Sequence, residues 1–145
     1  MDVVLNLGEK RRKKQWKFER SMLRSLSIHD MRRDVQQIFF SDRIGQSVGT
    51  LYLLDYCLDI GIDAYLMGSE YGRFGYYGET IEQVEKRCME ELQAYIEQTT
   101  SQFSAWYDLG VGEEEKNRVK STAFIRKWWK TGFLEGEKKF RLRLH

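Results

Sequence analysis

Asp55, Asp59 and Asp63 stand at i, i+4 and i+8, so on a helix they form a single line of carboxylates. Aspartate is a mediocre helix former, and like charges four residues apart repel by roughly 0.2–0.5 kcal/mol per pair. Something should compensate. One solution is salt bridging to Lys or Arg from the chain's termini, or plain solvation of a narrow strip. The other is a metal or substrate site inside a helical bundle. Bundle carboxylate sites usually add a Glu-x-x-His element on facing helices. The chain has two histidines, His29 near a helix start and His145 at the last position, and neither completes that element. The line is therefore expected to be structural, with at least one of the three aspartates paired to a basic residue from the ends.

Other catalytic chemistry finds no support in the spacing. No G-x-S-x-G occurs, and neither Cys57 nor Cys88 has a histidine close by in sequence. The cysteines form no CxxC pair and read as reduced, buried small hydrophobes. The glycines between Gly72 and Gly78 lack the lysine-serine ending and the preceding strand of a phosphate loop. No metal and no cofactor is expected.

Two further clusters are candidates for binding. The run Lys10-Arg11-Arg12-Lys13-Lys14 opens a strongly divided charge pattern. Residues 1–33 carry a net +6, residues 34–54 carry −1, residues 55–115 carry −11 and residues 116–145 carry +8. Either the basic ends pack on the acidic middle and the charges cancel, or the ends converge and bind nucleic acid or another polyanion. The second cluster is Arg73-Phe74-Gly75-Tyr76-Tyr77, which alternates basic, aromatic and small residues like the base-stacking strand of an RRM. That strand works on a four-stranded sheet, and the surroundings here are helical, so the RRM reading is rejected. Residues 69–79, with three glycines and four aromatics, are expected as an ordered turn packed between helices. Arg73, Phe74, Tyr76 and Tyr77 are its candidate ligand or partner surface.

The elements that must position these residues are read from periodicity. The chain has 145 residues, a net charge of +2 and no proline. That length suits one domain with a core of its own, and the missing proline favours long helices. A helix is expected from Glu9 to about Leu26, after a segment 1–8 that docks as an arm or stays loose. Ser27 caps a second helix that ends near Phe40 to Gly45. Ser47 opens a third, apolar on nearly all sides and hence central. Thr80 with Gln83 forms a capping box for a fourth, which runs to Gly110 and Gly112. Glu113-Glu114-Glu115 opens the last. The sum is an all-α, single-domain bundle of about five helices over residues 1–145. Tyr65-x-x-Gly68-x-x-x-Gly72 is echoed by Trp129-x-x-Gly132-x-x-x-Gly136, a shared close-packing device.

Val3-Val4-Leu5 is too short for a signal-peptide core, and no apolar run approaches a spanning helix, so a cytoplasmic protein without a membrane partner is expected.

Three stretches together carry a resemblance. They are Cys57-Leu58-Asp59-Ile60 through Ala64-Tyr65-Leu66, then Arg73-Phe74-Gly75-Tyr76-Tyr77-Gly78-Glu79, and the close of the chain. That close comprises Trp128-Trp129, Gly132-Phe133, Gly136-Glu137-Lys138 and Leu142-Arg143-Leu144-His145. They resemble the uncharacterised YbaK family of Bacillus-type bacteria, which is unrelated to the aminoacyl-tRNA deacylase of the same name. The resemblance implies a bacterial, cytoplasmic origin and supplies no activity and no catalytic residue.

The leading expectation is a non-enzymatic interaction or regulatory module whose partner is another protein or a second copy of itself. The first alternative is a nucleic-acid-binding protein using the basic terminal helices. The second is an enzyme or metal site at the Asp55, Asp59 and Asp63 line.

Overall fold

The computed structural model describes residues 2–41, 48–106 and 112–143, and all regular structure among them is helical. The elements are α1 (Asp2–Ser25), α2 (Ile28–Phe39), α3 (Val48–Tyr76), α4 (Ile81–Arg87), α5 (Met89–Trp106) and α6 (Glu113–Arg143). The molecule is an all-α, single-domain bundle, with six helices among the described residues where about five were expected. The difference lies at Cys88. Its N–H turns to the carbonyls of Glu85 and Lys86, which divides the helix expected from Thr80 onward into α4 and α5.

Local signals act where the sequence placed them. The Thr80 hydroxyl accepts from the Gln83 N–H, and the Gln83 side chain accepts from the Thr80 N–H at 2.9 Å. The Ser27 hydroxyl accepts from the Asp30 N–H, without a return bond from Asp30. The acids Glu113 to Glu115 occupy the first turn of α6, and Arg141 and Arg143 its last, the charges that a helix dipole favours. Ser47 and Gly110, expected as a start and an end, lie outside the described residues. The segment set apart as an arm forms the first turns of α1, where a β-carbon on Gly8 would meet nothing within 4 Å.

The core is organised on a seam between α3 and α6. Gly61 faces Phe124, Gly68 faces Trp129 and Phe133, and Gly72 faces Gly136 and Glu137, so the two helices run parallel. The approach is closer than any β-carbon would allow. One on Gly68 would overlap the Trp129 carbonyl oxygen, and one on Gly132 would overlap that of Tyr65. Gly72 meets the Phe133 carbonyl and Gly136 meets that of Ser69 in the same way. A helix-interior glycine costs about 0.5–1 kcal/mol relative to alanine. Here the cost is offset by backbone packing around buried Tyr65, Phe124, Trp129 and Phe133.

The contacts are reciprocal at one sequence offset. Tyr65 and Trp129, Gly68 and Gly132, Ser69 and Phe133, and Gly72 and Gly136 are each 64 positions apart. The same offset joins Phe39 of α2 to Phe103 of α5, stacked with ring centroids 4.8 Å apart. It also joins Tyr76 to Phe140, edge to face at 5.4 Å. The pairs α2–α3 and α5–α6 are therefore related by an approximate two-fold axis along the seam. The echo visible in the sequence is its signature.

This seam also corrects the expected turn. Residues 69–76 continue α3 without interruption, and the break comes only at Tyr77, Gly78 and Glu79. Gly72 and Gly75 serve helix contact rather than chain reversal. Gly78, at φ +102°, is the glycine the connection requires.

Finally, α1 lies across the C-terminal end of the seam, antiparallel to both helices. The Tyr65 hydroxyl donates to the Met22 carbonyl at 3.1 Å in a buried bond, and Lys139 Nζ donates to the Ser21 hydroxyl at 2.7 Å. Both cysteines are free and buried, and burial pushes the Cys88 thiol up to about 11, which leaves it unreactive near neutral pH. Among the described residues no helix is long and apolar enough to cross a membrane.

Candidate functional site

The face of α1 that meets the bundle repeats at Arg11, Gln15, Phe18 and Met22, helical spacings of four, three and four. Met22 is wholly buried and Phe18 partly so. Toward its N-terminus α1 leaves an open cleft of about 360 Å³ between itself and the ends of α3 and α6. From α1 the cleft takes Arg11, Lys14, Gln15 and Phe18. From α3 it takes Ser69, Glu70 and Arg73, and from α6 it takes Gly136, Phe140 and Arg143. Gly136 keeps the floor low, because a side chain there would strike Ser69.

Four cations from three helices thus share one cleft, and none of the four forms an ion pair among the described residues. Gln15 Nε2 donates to Glu70 Oε1 at 2.6 Å. The Glu70 carboxyl is raised above its ordinary value, first by burial and then by the negative charge of Glu19, while Gln15 and Arg73 pull it back. The cleft is cationic at its rim and carries one carboxyl, Glu70, among its described lining residues. Its shape and charge suit an anion. Among the described residues that line it there is no histidine and no cysteine.

The structure divides the basic run between the cleft and open surface. Arg11 and Lys14 line the cleft, whereas Lys10, Arg12 and Lys13 are not among its lining residues and stand exposed on α1. Of the aromatic cluster, only Arg73 lines it. Phe74 is half-buried, and the guanidinium groups of Arg73 and Arg87 lie 5.1 and 4.7 Å from its ring centre. Tyr76 and Tyr77 pack edge to face on Phe140, which lines the cleft. Gln15, Phe18, Glu70, Phe140 and Arg143 were not singled out from sequence. The usable signal for the first two was the period of α1.

The aspartate line stands apart. Asp55, Asp59 and Asp63 are all exposed, and none forms an ion pair among the described residues, which corrects the expected bridge to a basic end. The cations of α6 are taken by nearer acids. Arg118 binds Glu97 at 2.8 Å and Glu115 at 2.7 Å, and Lys127 binds Asp34 at 2.5 Å. Arg126 holds the buried Glu85 at 2.6 Å, with Lys130 at 4.0 Å. The bond from Arg118 draws Glu97 below the usual carboxylate range. Arg118, Arg126, Lys127 and Lys130 of α6 are thus held by acids from other helices, whereas Arg143 of α6, like Arg11 and Lys14 of α1, forms no ion pair among the described residues. Asp63 is raised by burial and then by Asp59, and it borders a shallow groove with Glu70, Glu91, Tyr71 and Tyr95. Among the described residues no group of three His, Cys, Asp or Glu side chains is placed to hold a metal ion.

The comparisons with known proteins agree with the resemblance read from the residues. A family model described as a protein of unknown function (DUF2521) matches residues 1–145. The uncharacterized protein YbaK of Bacillus subtilis (strain 168) is 28% identical over 152 aligned positions, covering 99% of each chain. No solved structure matches. Matched from its first residue to its last, the chain belongs to the DUF2521 family of proteins of unknown function.

Proposed function

We propose that the protein is a non-catalytic binding module of the bacterial cytoplasm, and that its ligand is a polyanion, nucleic acid foremost, held in the cleft of α1, α3 and α6. One observation carries this reading: Arg11, Lys14, Arg73 and Arg143 come from distant parts of the chain, share one cleft with a single described carboxylate, Glu70, and form no ion pair among the described residues. Unpaired cations on separate helices raise the local potential and are repaid by a ligand with several phosphates.

The test is binding of labelled single-stranded and duplex oligonucleotides across a salt series. Four phosphate contacts predict a slope of log K against log salt of about −3 to −4. Arg73→Gln and Arg143→Gln should each flatten that slope by about one. Absence of binding at low salt, or slopes untouched by both variants, would overturn the reading.

A protein partner is the second reading. It is favoured by the outer face of α6, where Val119 and Leu134 are 61% and 57% exposed beside Ala123, Arg126 and Lys130. Exposed apolar residues in a shallow groove with a cationic rim suit an acidic, amphipathic segment.

A further inference from the structure

Four cations explain why the cleft attracts an anion, but not the rest of its lining. A site for bare phosphate needs donors alone. This one also presents two partly buried aromatic rings, Phe18 from α1 and Phe140 from α6, and a hydrogen-bonded carboxyl–amide pair, Glu70 with Gln15. Its volume of about 360 Å³ lies within the range of small-molecule sites and exceeds what one phosphate fills.

Glu70 is the informative residue. A carboxylate inside an anion site repels a ligand that is charged throughout. It is tolerated where the part of the ligand beside it is uncharged and offers N–H donors. A ligand with phosphate at one end, a flat ring in the middle and N–H groups on the ring edge satisfies the cations, the aromatic walls and the Glu70–Gln15 pair together. Stacking on an aromatic side chain is indifferent to base identity, because every base has a π face.

Resting on the basic-cleft reading above, we infer that the cleft binds one nucleotide unit, its phosphate on Arg11, Lys14, Arg73 and Arg143 and its base between the Phe18 and Phe140 sides, edge toward Glu70 and Gln15. The unit is either a free nucleotide or the phosphorylated end of a single strand, which present the same chemistry. Ser69, at the floor, is placed beside the sugar.

Calorimetric titration of the full chain tests this with guanosine and adenosine monophosphates, ribose 5-phosphate, the two nucleosides and inorganic tripolyphosphate. The expected result is one nucleotide per chain, bound at least tenfold more tightly than ribose 5-phosphate and than either nucleoside. Phe140→Leu should abolish the tenfold advantage of the base and leave ribose 5-phosphate unchanged. Glu70→Gln should tighten tripolyphosphate severalfold while giving no such gain to the nucleotides, a selective gain that loss of folding does not produce. A short strand with a 5′-phosphate that binds tenfold tighter than the monophosphates assigns the source to strand ends. Equal affinity assigns it to free nucleotides. If tripolyphosphate and ribose 5-phosphate match the nucleotides charge for charge, or Phe140→Leu keeps the base advantage, the inference is wrong and the polyanion reading stands. If none of the probes and no oligonucleotide binds at low salt, both are wrong.

Discussion

The carbonyl oxygen of Trp129 occupies the space that a β-carbon on Gly68 would need. The obstacle is backbone, so no rotamer change relieves it, and the same holds for Gly132 against Tyr65. Gly68→Ala and Gly132→Ala should each cost at least about 3 kcal/mol, at or above the upper end for overpacking. Gly8→Ala, in the open part of α1, should instead stabilise by about 0.5–1 kcal/mol. Urea denaturation of the three variants measures both signs. Near wild-type stability for Gly68→Ala would mean that the seam is not packed as described.

Trp129 and Phe74 flank the seam and differ in burial. Trp129 is fully buried and stacked on Phe133, with ring centroids 5.5 Å apart. Trp129→Ala should cost about 3–5 kcal/mol. Phe74 lies at the edge between two guanidinium groups, and Phe74→Ala should cost about 1 kcal/mol. Thermal melts of the pair discriminate them. Equal losses would contradict the difference in burial.

Acid should strengthen the cleft. The Glu70 carboxyl is raised by burial and by Glu19, with Gln15 and Arg73 opposing, so it takes up a proton at higher pH than a free glutamate. Protonation removes the one negative charge among the described residues that line the cleft. Affinity for tripolyphosphate should therefore rise as pH falls through the Glu70 value. Glu70→Gln should show the higher affinity already at neutral pH, with a flatter profile. A wild-type profile no steeper than that of the variant over the acid range would count against this role.

The aspartate strip should be dispensable and slightly costly. Asp63 is raised in the folded protein by burial and by Asp59. Its ionised form is thus disfavoured by folding. The penalty is fully present above the folded value, and stability grows as pH falls through it toward the unfolded one. Asp59→Asn should stabilise at neutral pH by about 0.2–0.5 kcal/mol, the size of like-charge repulsion four residues apart. A loss of more than about 1 kcal/mol would mean that the strip holds a partner.

How far the fold was legible follows from the kind of information each part needs. Helix identity, the Thr80 and Ser27 caps and the core positions of α3 are local, and periodicity carries them. The continuation of α3 to Tyr76 was misread because Gly72 and Gly75 were weighed as chain-reversing residues. Their true task, admitting the backbone of α6 at Gly72 and the Phe133 and Glu137 side chains at Gly75, is set by residues on a distant helix. The cleft is harder still. It needs α1 to lie antiparallel across the seam, a long-range fact that brings Arg11 to Arg143. The pairing of the acidic middle failed in detail for a related reason. Total charge predicted cancellation, but which acids cancel depends on proximity, and Glu85, Glu97 and Asp34 stood nearer to α6 than the aspartate strip did.

The reciprocal seam makes this chain behave as a tethered pair of like hairpins. Two parallel helices that trade the same glycine contacts would, in separate chains, form the interface of a symmetric dimer. Here that interface is spent inside one molecule, and joining the halves frees each to change its outer surface alone. The outcome can be read position by position. Asp55, Asp59 and Asp63 on the first half correspond to Val119, Ala123 and Lys127 on the second. Alike within and unlike without, the two halves carry different outer faces, which a true homodimer could not.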